Sequence, residues 1–312
     1  MAVTSDADEL ISGARAGDRR AIGRLISLVE DDLVASTAVL SRIHENRSTG
    51  WVTGITGAPG AGKSTLVDHL VAHWREQDNR VAVLAVDPTS PFTGGALLGD
   101  RIRMQHSSGD QGVLVRSMAT RGWLGGMARA TERVAALCIG IGYHEIVIET
   151  VGVGQSEVDV AAAADTTVVV VTPGWGDGVQ VAKAGIMEIA DVFVVNKADR
   201  DGAADAAREL TEMLRLTDDP SWRVPVVTTV GTSGDGVDGL LDAISSHRDY
   251  LTERGDLDSQ RREGALRRAV VERLAESARG VLESPAGREV LAAVVAGDLD
   301  PWSGAAHVLE VG

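Results

Sequence analysis

Residues 57–64 read Gly-Ala-Pro-Gly-Ala-Gly-Lys-Ser, with Thr65 following, and no other feature limits the possible folds so tightly. The pattern G-x-x-x-x-G-K-[ST] works only when a strand runs in and a helix runs out. Both flanks are present: Trp51–Thr56 is a short apolar run, and Lys63–Glu76 has helical periodicity. Glycines let backbone N–H groups turn inward around phosphate oxygens, and the helix N-terminus adds its dipole. Gly57, Ala58, Pro59, Gly60, Ala61 and Gly62 therefore form a candidate phosphate cradle. Lys63 is placed to reach β- and γ-phosphates, and the Ser64 hydroxyl to ligate Mg²⁺.

The chain around this loop alternates apolar runs with helical stretches. Strands are expected at Val81–Val86, Val113–Val115, Glu145–Glu149, Thr167–Thr172, Asp191–Asn196 and Val224–Val230. Helices fit Met127–Ile139, Val179–Ile189, Asp205–Leu216 and Val237–Tyr250. Several strands are unbroken Val/Ile runs, as when helices cover both sheet faces. The expectation is an α/β, doubly wound, mostly parallel sheet over residues 49–250. Residues 1–48 read as N-terminal helices, with Leu10, Ile11, Ala14, Ile22, Leu25, Ile26 and Val29 at three- and four-residue steps. Residues 251–312 carry no strand pattern. There Leu266, Val270, Leu274, Val281 and Leu282 make a stripe that either folds back on the core or pairs with another subunit.

Composition narrows the function. With 312 residues, 44% hydrophobic, the chain buries an ample core. Its net charge of −15 argues against a nucleic-acid surface. The lone Cys138, in an apolar run, excludes internal disulfides, reads as a buried hydrophobe and fits a reducing compartment. No apolar run reaches the roughly 18 residues of a spanning helix, and the acidic N-terminus lacks the features of a signal peptide, so no membrane partner and a cytoplasmic location are expected.

Asn196-Lys197-Ala198-Asp199 closes an apolar strand and matches N-K-x-D. Guanine presents two donors on one edge, N1–H and the N2 amine, and the Asp199 carboxylate can accept from both. Adenine lacks that pair, so the motif points to GTP and GDP. Gly231 and Thr232, after the last strand, sit where a loop adds backbone contacts to the base. Glu149-Thr150-Val151-Gly152 takes the D-x-x-G position: Glu149 is a magnesium candidate and Gly152 a γ-phosphate sensor. Asp87, ending a strand, and Asp100 are further candidate metal acids. Val153 occupies the place where a water-positioning Gln is customary, and Gln155 lies two residues on. Lys63, Glu149, Asp87 and Gln155 form the candidate catalytic set, with hydrolysis expected to be slow until a partner completes the site.

With these residues in view, the chain resembles the MeaB/ArgK family of P-loop GTPases, which includes MMAA. The resemblance spans nearly the whole length and rests on AVDPTSPFTGGALLGDRIRM, IETVGVGQSE, VVNKAD and PGWGDGVQVAKAGIMEIAD. It implies a chaperone of an adenosylcobalamin-dependent acyl-CoA mutase of the methylmalonyl-CoA mutase type, gating cofactor delivery and protecting or reactivating the mutase. It also implies that Asp87, Asp100 and Glu149 match acids at the Mg²⁺ and nucleotide site, that Asp177 and Lys183 belong to an additional switch, and that the C-terminal helices form a homodimerisation arm. Two other readings stand beside it. One is a metal-insertion GTPase of the nickel type, to which His69 and His73 at i, i+4 would contribute; we read that pair as structural, one exposed and one half-buried. The other is a P-loop phosphotransferase.

Overall fold

The computed structural model describes residues 2–44, 49–87, 109–119, 126–150, 156–174, 187–215, 221–255 and 257–311. Seven strands pair into one sheet: β1 (Trp51–Gly57), β2 (Val81–Asp87), β3 (Val113–Ala119), β4 (Glu145–Thr150), β5 (Thr166–Val171), β6 (Val192–Asn196) and β7 (Val226–Thr229). Their order is β3-β2-β4-β1-β5-β6-β7, and every neighbouring pair is parallel. The expected mostly parallel sheet is thus parallel throughout.

Burial follows from the strand period of two, which sends alternate side chains to opposite faces. On one face Val52, Ala82, Leu84, Ile146 and Ile148 pack with Ile22, Leu25, Ile26 and Val29 of α2 (Arg19–Asp31) and Leu137 and Ile141 around α5 (Gly126–Gly140). On the other face Ile55, Val83, Val147, Val168 and Val194 meet Leu66, Val67, Leu70 and Trp74 of α4 (Lys63–Glu76) and Leu240 and Ile244 of α8 (Val237–Arg254). A third cluster sets Val169, Phe193 and Val195 against Leu210 of α7 (Ala203–Leu214). Cys138 lies fully buried beside α5's other apolar residues, and burial raises its thiol to about 12, so it behaves as the expected hydrophobe.

The N-terminal helices are α1 (Ala2–Arg15), α2 and α3 (Leu33–His44). Helix α6 (Ser156–Ala163), which the periodicity did not suggest, packs on β1. Its sequence SEVDVAAA is small and apolar on most sides, so no stripe marks it. β3 runs four residues beyond the expected Val115, through Arg116, whose guanidinium pairs with Glu30 on α2. A charge that looked like a strand end is an interior position with a partner. The expected helix Val179–Ile189 lies largely outside the described residues.

The chain divides into two compact units, Met1–Arg254 and Gly255–Gly312. The second contains α9 (Leu257–Glu283), α10 (Pro285–Ala296) and α11 (Pro301–Val311), packed on one another. Among the described residues no helix is long and apolar enough to cross a membrane.

At the strand N-termini a polar network joins β1, β5, β6 and α8. Trp51 Nε1 donates to Thr166 Oγ1 at 3.0 Å, and Thr166 Oγ1 lies 2.9 Å from His247 Nδ1. His247 Nε2 is 3.4 Å from Asp191 Oδ1, while Asp191 Oδ2 accepts from the Thr167 N–H at 2.7 Å. Burial pushes the Asp191 carboxyl up to about 6 and the His247 imidazole down to about 4.

Candidate functional site

Parallel α/β sheets present ligand sites at the carboxyl ends of their strands. That edge gathers Gly57, Thr150, Asn196 and Thr229, the last residues of β1, β4, β6 and β7. The loop after β1 turns through three glycines with positive φ, Gly57 (139°), Gly60 (73°) and Gly62 (96°). Two of them are fixed by close approach as well. A Cβ on Gly57 would lie 2.0 Å from the Val170 carbonyl oxygen, and one on Gly62 would lie 2.2 Å from Asn196 Nδ2. Only glycine fits where the backbone runs this near its neighbours.

Lys63 opens α4 and is 6% exposed, so its ammonium is held inside the loop rather than in solvent. Its Nζ donates to the carbonyls of Gly57 at 2.7 Å and Ala58 at 3.0 Å. Ser64 Oγ donates to Glu149 Oε1 at 2.6 Å. The start of α4 and the end of β4 therefore meet through two hard oxygen groups, and Thr56 Oγ1 of β1 and Thr150 Oγ1 of β4, 3.0 Å apart, tie those two strands beside them. This donor set fits Mg²⁺, which takes one or two protein oxygens and fills its octahedron with water and phosphate. Asp87 ends β2 on the same edge, with its side chain outside the described residues. Asp100, Gly152, Gln155, Asp177 and Lys183 also lie outside them.

Asn196 connects the phosphate loop to the base-side loops. It is 2% exposed; its Nδ2 donates to the Ala61 carbonyl at 2.7 Å, and its Oδ1 accepts from Thr229 Oγ1 and from the Gly231 N–H, each at 3.0 Å. Lys197 adopts φ 60°, unusual outside glycine, and its Nζ donates to the Gly60 carbonyl at 2.7 Å. The Ala198 N–H donates to the Thr229 carbonyl at 2.9 Å, which fixes the turn carrying the exposed Asp199. Gly231 is buried and Thr232 exposed on the loop after β7. The structure thus joins Gly57–Thr65, Glu149, Asn196, Lys197 and Gly231 in one hydrogen-bonded assembly.

The His69–His73 pair differs from expectation in exposure alone, since neither residue is exposed. Both His69 and His73 are half-buried, and their rings go different ways: His69 Nε2 lies 2.9 Å from the Gly231 carbonyl, His73 Nε2 2.9 Å from Gln77 Nε2. Among the described residues no three His, Cys, Asp or Glu side chains converge as a metal centre. The sequence signal for His69 is its place six residues beyond Lys63 on the same helix, which metal spacing alone overlooks.

Comparison with known proteins agrees with this geometry. The family described as "Methylmalonyl Co-A mutase-associated GTPase MeaB" matches residues 22–281. A Pyrococcus horikoshii protein bearing a GTPase name is 47% identical over 310 residues, covering 97% of each chain. The Escherichia coli "GTPase ArgK" is 35% identical over 83% of this chain and 81% of its own. The mouse "Methylmalonic aciduria type A homolog, mitochondrial" is 37% identical over 81% of this chain and 66% of its own. Among solved structures, one titled "Crystal structure of LAO/AO transport system kinase" superposes with a TM-score of 0.73 at 26% identity, covering 98% of this chain and 97% of that one.

Proposed function

Since the chain belongs to the MeaB family of methylmalonyl-CoA mutase-associated GTPases, we propose that it uses its GTPase cycle to chaperone an adenosylcobalamin-dependent acyl-CoA mutase. In this reading Lys63 and the loop amides grip the triphosphate, Asp199 selects guanine, and Ser64 with Glu149 and Asp87 holds magnesium. Magnesium held by these residues would supply charge neutralisation for the phosphates. Asp100 adds to the nucleotide and metal site, and Gly152, Gln155, Asp177 and Lys183 belong to segments that respond to the γ-phosphate.

The observation that carries the reading is the 2.6 Å contact of Ser64 with Glu149. Glu149 is the penultimate residue of β4, and the chain continues past Thr150 into residues 151–155. A change at the phosphate end is therefore one side chain away from the segment that would signal it. A nucleotide shifts a partner only through different affinities for two states, and γ-phosphate with Mg²⁺ supplies such a difference by ordering adjoining segments. Gly255–Gly312 serves as an arm that takes up a second copy. The stripe of α9 supports this, since Leu266, Val270 and Leu274 are 65%, 48% and 65% exposed at four-residue steps.

The test is co-purification of the full chain with candidate cobalamin mutases, loaded with GDP or with a non-hydrolysable GTP analogue. Retention of a mutase that differs between the two nucleotides is expected. No retention, or equal retention in both, contradicts the chaperone role.

A further inference from the structure

We infer that His69 is a positioning residue for guanine-nucleotide retention, fixing the loop after β7 from the helix that grips the phosphates. The inference rests on the nucleotide reading above and goes beyond it.

Three hydrogen bonds and one helix close a circuit through the site. The Ala61 carbonyl, in the phosphate loop, accepts from Asn196 Nδ2; Asn196 Oδ1 accepts from the Gly231 N–H; the Gly231 carbonyl accepts from His69 Nε2; and α4 leads from His69 back to Lys63 and the loop. Gly231 is thus held at both its amide and its carbonyl. Because a carbonyl only accepts, His69 must carry a hydrogen on Nε2.

The loop itself is wound on Val230. The Ser233 and Gly234 N–H groups donate to the Val230 carbonyl at 3.1 and 2.9 Å, and the Val230 N–H donates to the Asp235 carbonyl at 2.9 Å. Those bonds fix its internal shape but not where it stands relative to α4. His69 sets that placement. Its ring lies under the turn, so close that a Cβ on Gly234 would be 3.1 Å from His69 Cε1. From Lys63 to His69 the helix rises roughly 9 Å, and that rigid span sets the distance between the phosphate grip and the base loop. A displaced loop loosens the base while leaving the phosphate contacts intact, which separates this role from a general packing role.

The test compares two substitutions of similar length, His69→Met, which lacks a donor, and His69→Gln, which keeps one. Dissociation of a fluorescent GDP and affinity for inorganic pyrophosphate are measured on the full chain, with thermal melts to establish folding and ADP as the control for base selection. His69→Met is expected to speed GDP release about five- to tenfold, the worth of one hydrogen bond. His69→Gln should restore near-native release, and pyrophosphate affinity should stay level in both. Native release from His69→Met, failure of His69→Gln to restore it, or equal weakening of GDP and pyrophosphate overturns the inference. A native chain that does not distinguish GDP from ADP instead defeats the nucleotide reading beneath it.

Discussion

Asn196 bears more of the site than any other single side chain. Its amide makes three hydrogen bonds while almost wholly buried, joining the phosphate loop, β7 and Gly231. Asn196→Ala leaves the Ala61 carbonyl and the Gly231 N–H without these partners, and each unmet buried group costs about 1–3 kcal/mol. Chemical denaturation should show a loss of about 2–4 kcal/mol, and a loss under about 1 kcal/mol would mean that water replaces the amide freely. Asp199 tests the base separately, because it is exposed and its replacement need not disturb the fold. In Asp199→Asn one acceptor oxygen becomes a donor facing guanine's donors. GTP affinity should fall about 10- to 100-fold, the range for a bond to a charged group, while xanthosine triphosphate, with an acceptor at that edge, gains. Unchanged discrimination would remove Asp199 from the base site. The roles proposed for these residues were legible because each motif couples a residue type to one chemistry. The partner of His69 was not: the sequence places this histidine on the helix after the phosphate loop, but only the folded path of the 230–235 loop brings the Gly231 carbonyl to it.

Among the elements, the central strands were legible for a simple reason. A parallel strand covered on both sides is buried at every position, as in β4 and β5, and its middle residues, Ile146–Ile148 and Val168–Val171, form unbroken apolar runs. The edges were harder. β7 was expected over Val224–Val230 and pairs over Val226–Thr229, half-exposed along most of its length. Helix α11 lies within the expected C-terminal helical arm but was not delimited there, although its start is marked: Asp300 Oδ1 accepts from the Trp302 and Ser303 N–H groups at 3.0 Å, with Pro301 in the first turn. The Asp191–His247 network makes a prediction at this scale. The folded chain holds the Asp191 proton up to about pH 6, while an unfolded Asp releases it near 4, so its contribution to stability is present below 4 and lost as pH rises to 6. His247 has the opposite sign: kept neutral down to about 4, it gives stability present above about 6.5 and lost as pH falls. The two slopes oppose each other across one window. Asp191→Asn removes one of them, so the melting temperature of the variant relative to the native chain should climb between pH 4 and 6. A difference that stays flat would show that the carboxyl is not held protonated.

On the scale of the whole molecule, the two units make different demands. Met1–Arg254 contains its own core and the entire described nucleotide assembly, whereas Gly255–Gly312 exposes Leu266, Val270, Val271 and Leu274 on one helix. Leu266→Glu with Leu274→Glu should convert a dimer to a monomer in sedimentation while GTP binding is kept. A native chain that sediments as a monomer would argue against the arm. All of this presupposes a guanine-specific phosphate site. Its most direct test is calorimetric titration of the full chain with GTP and with ATP in the presence of magnesium. The account predicts saturable binding of GTP with ATP far weaker; equal affinity for the two, or no binding of GTP, would contradict it.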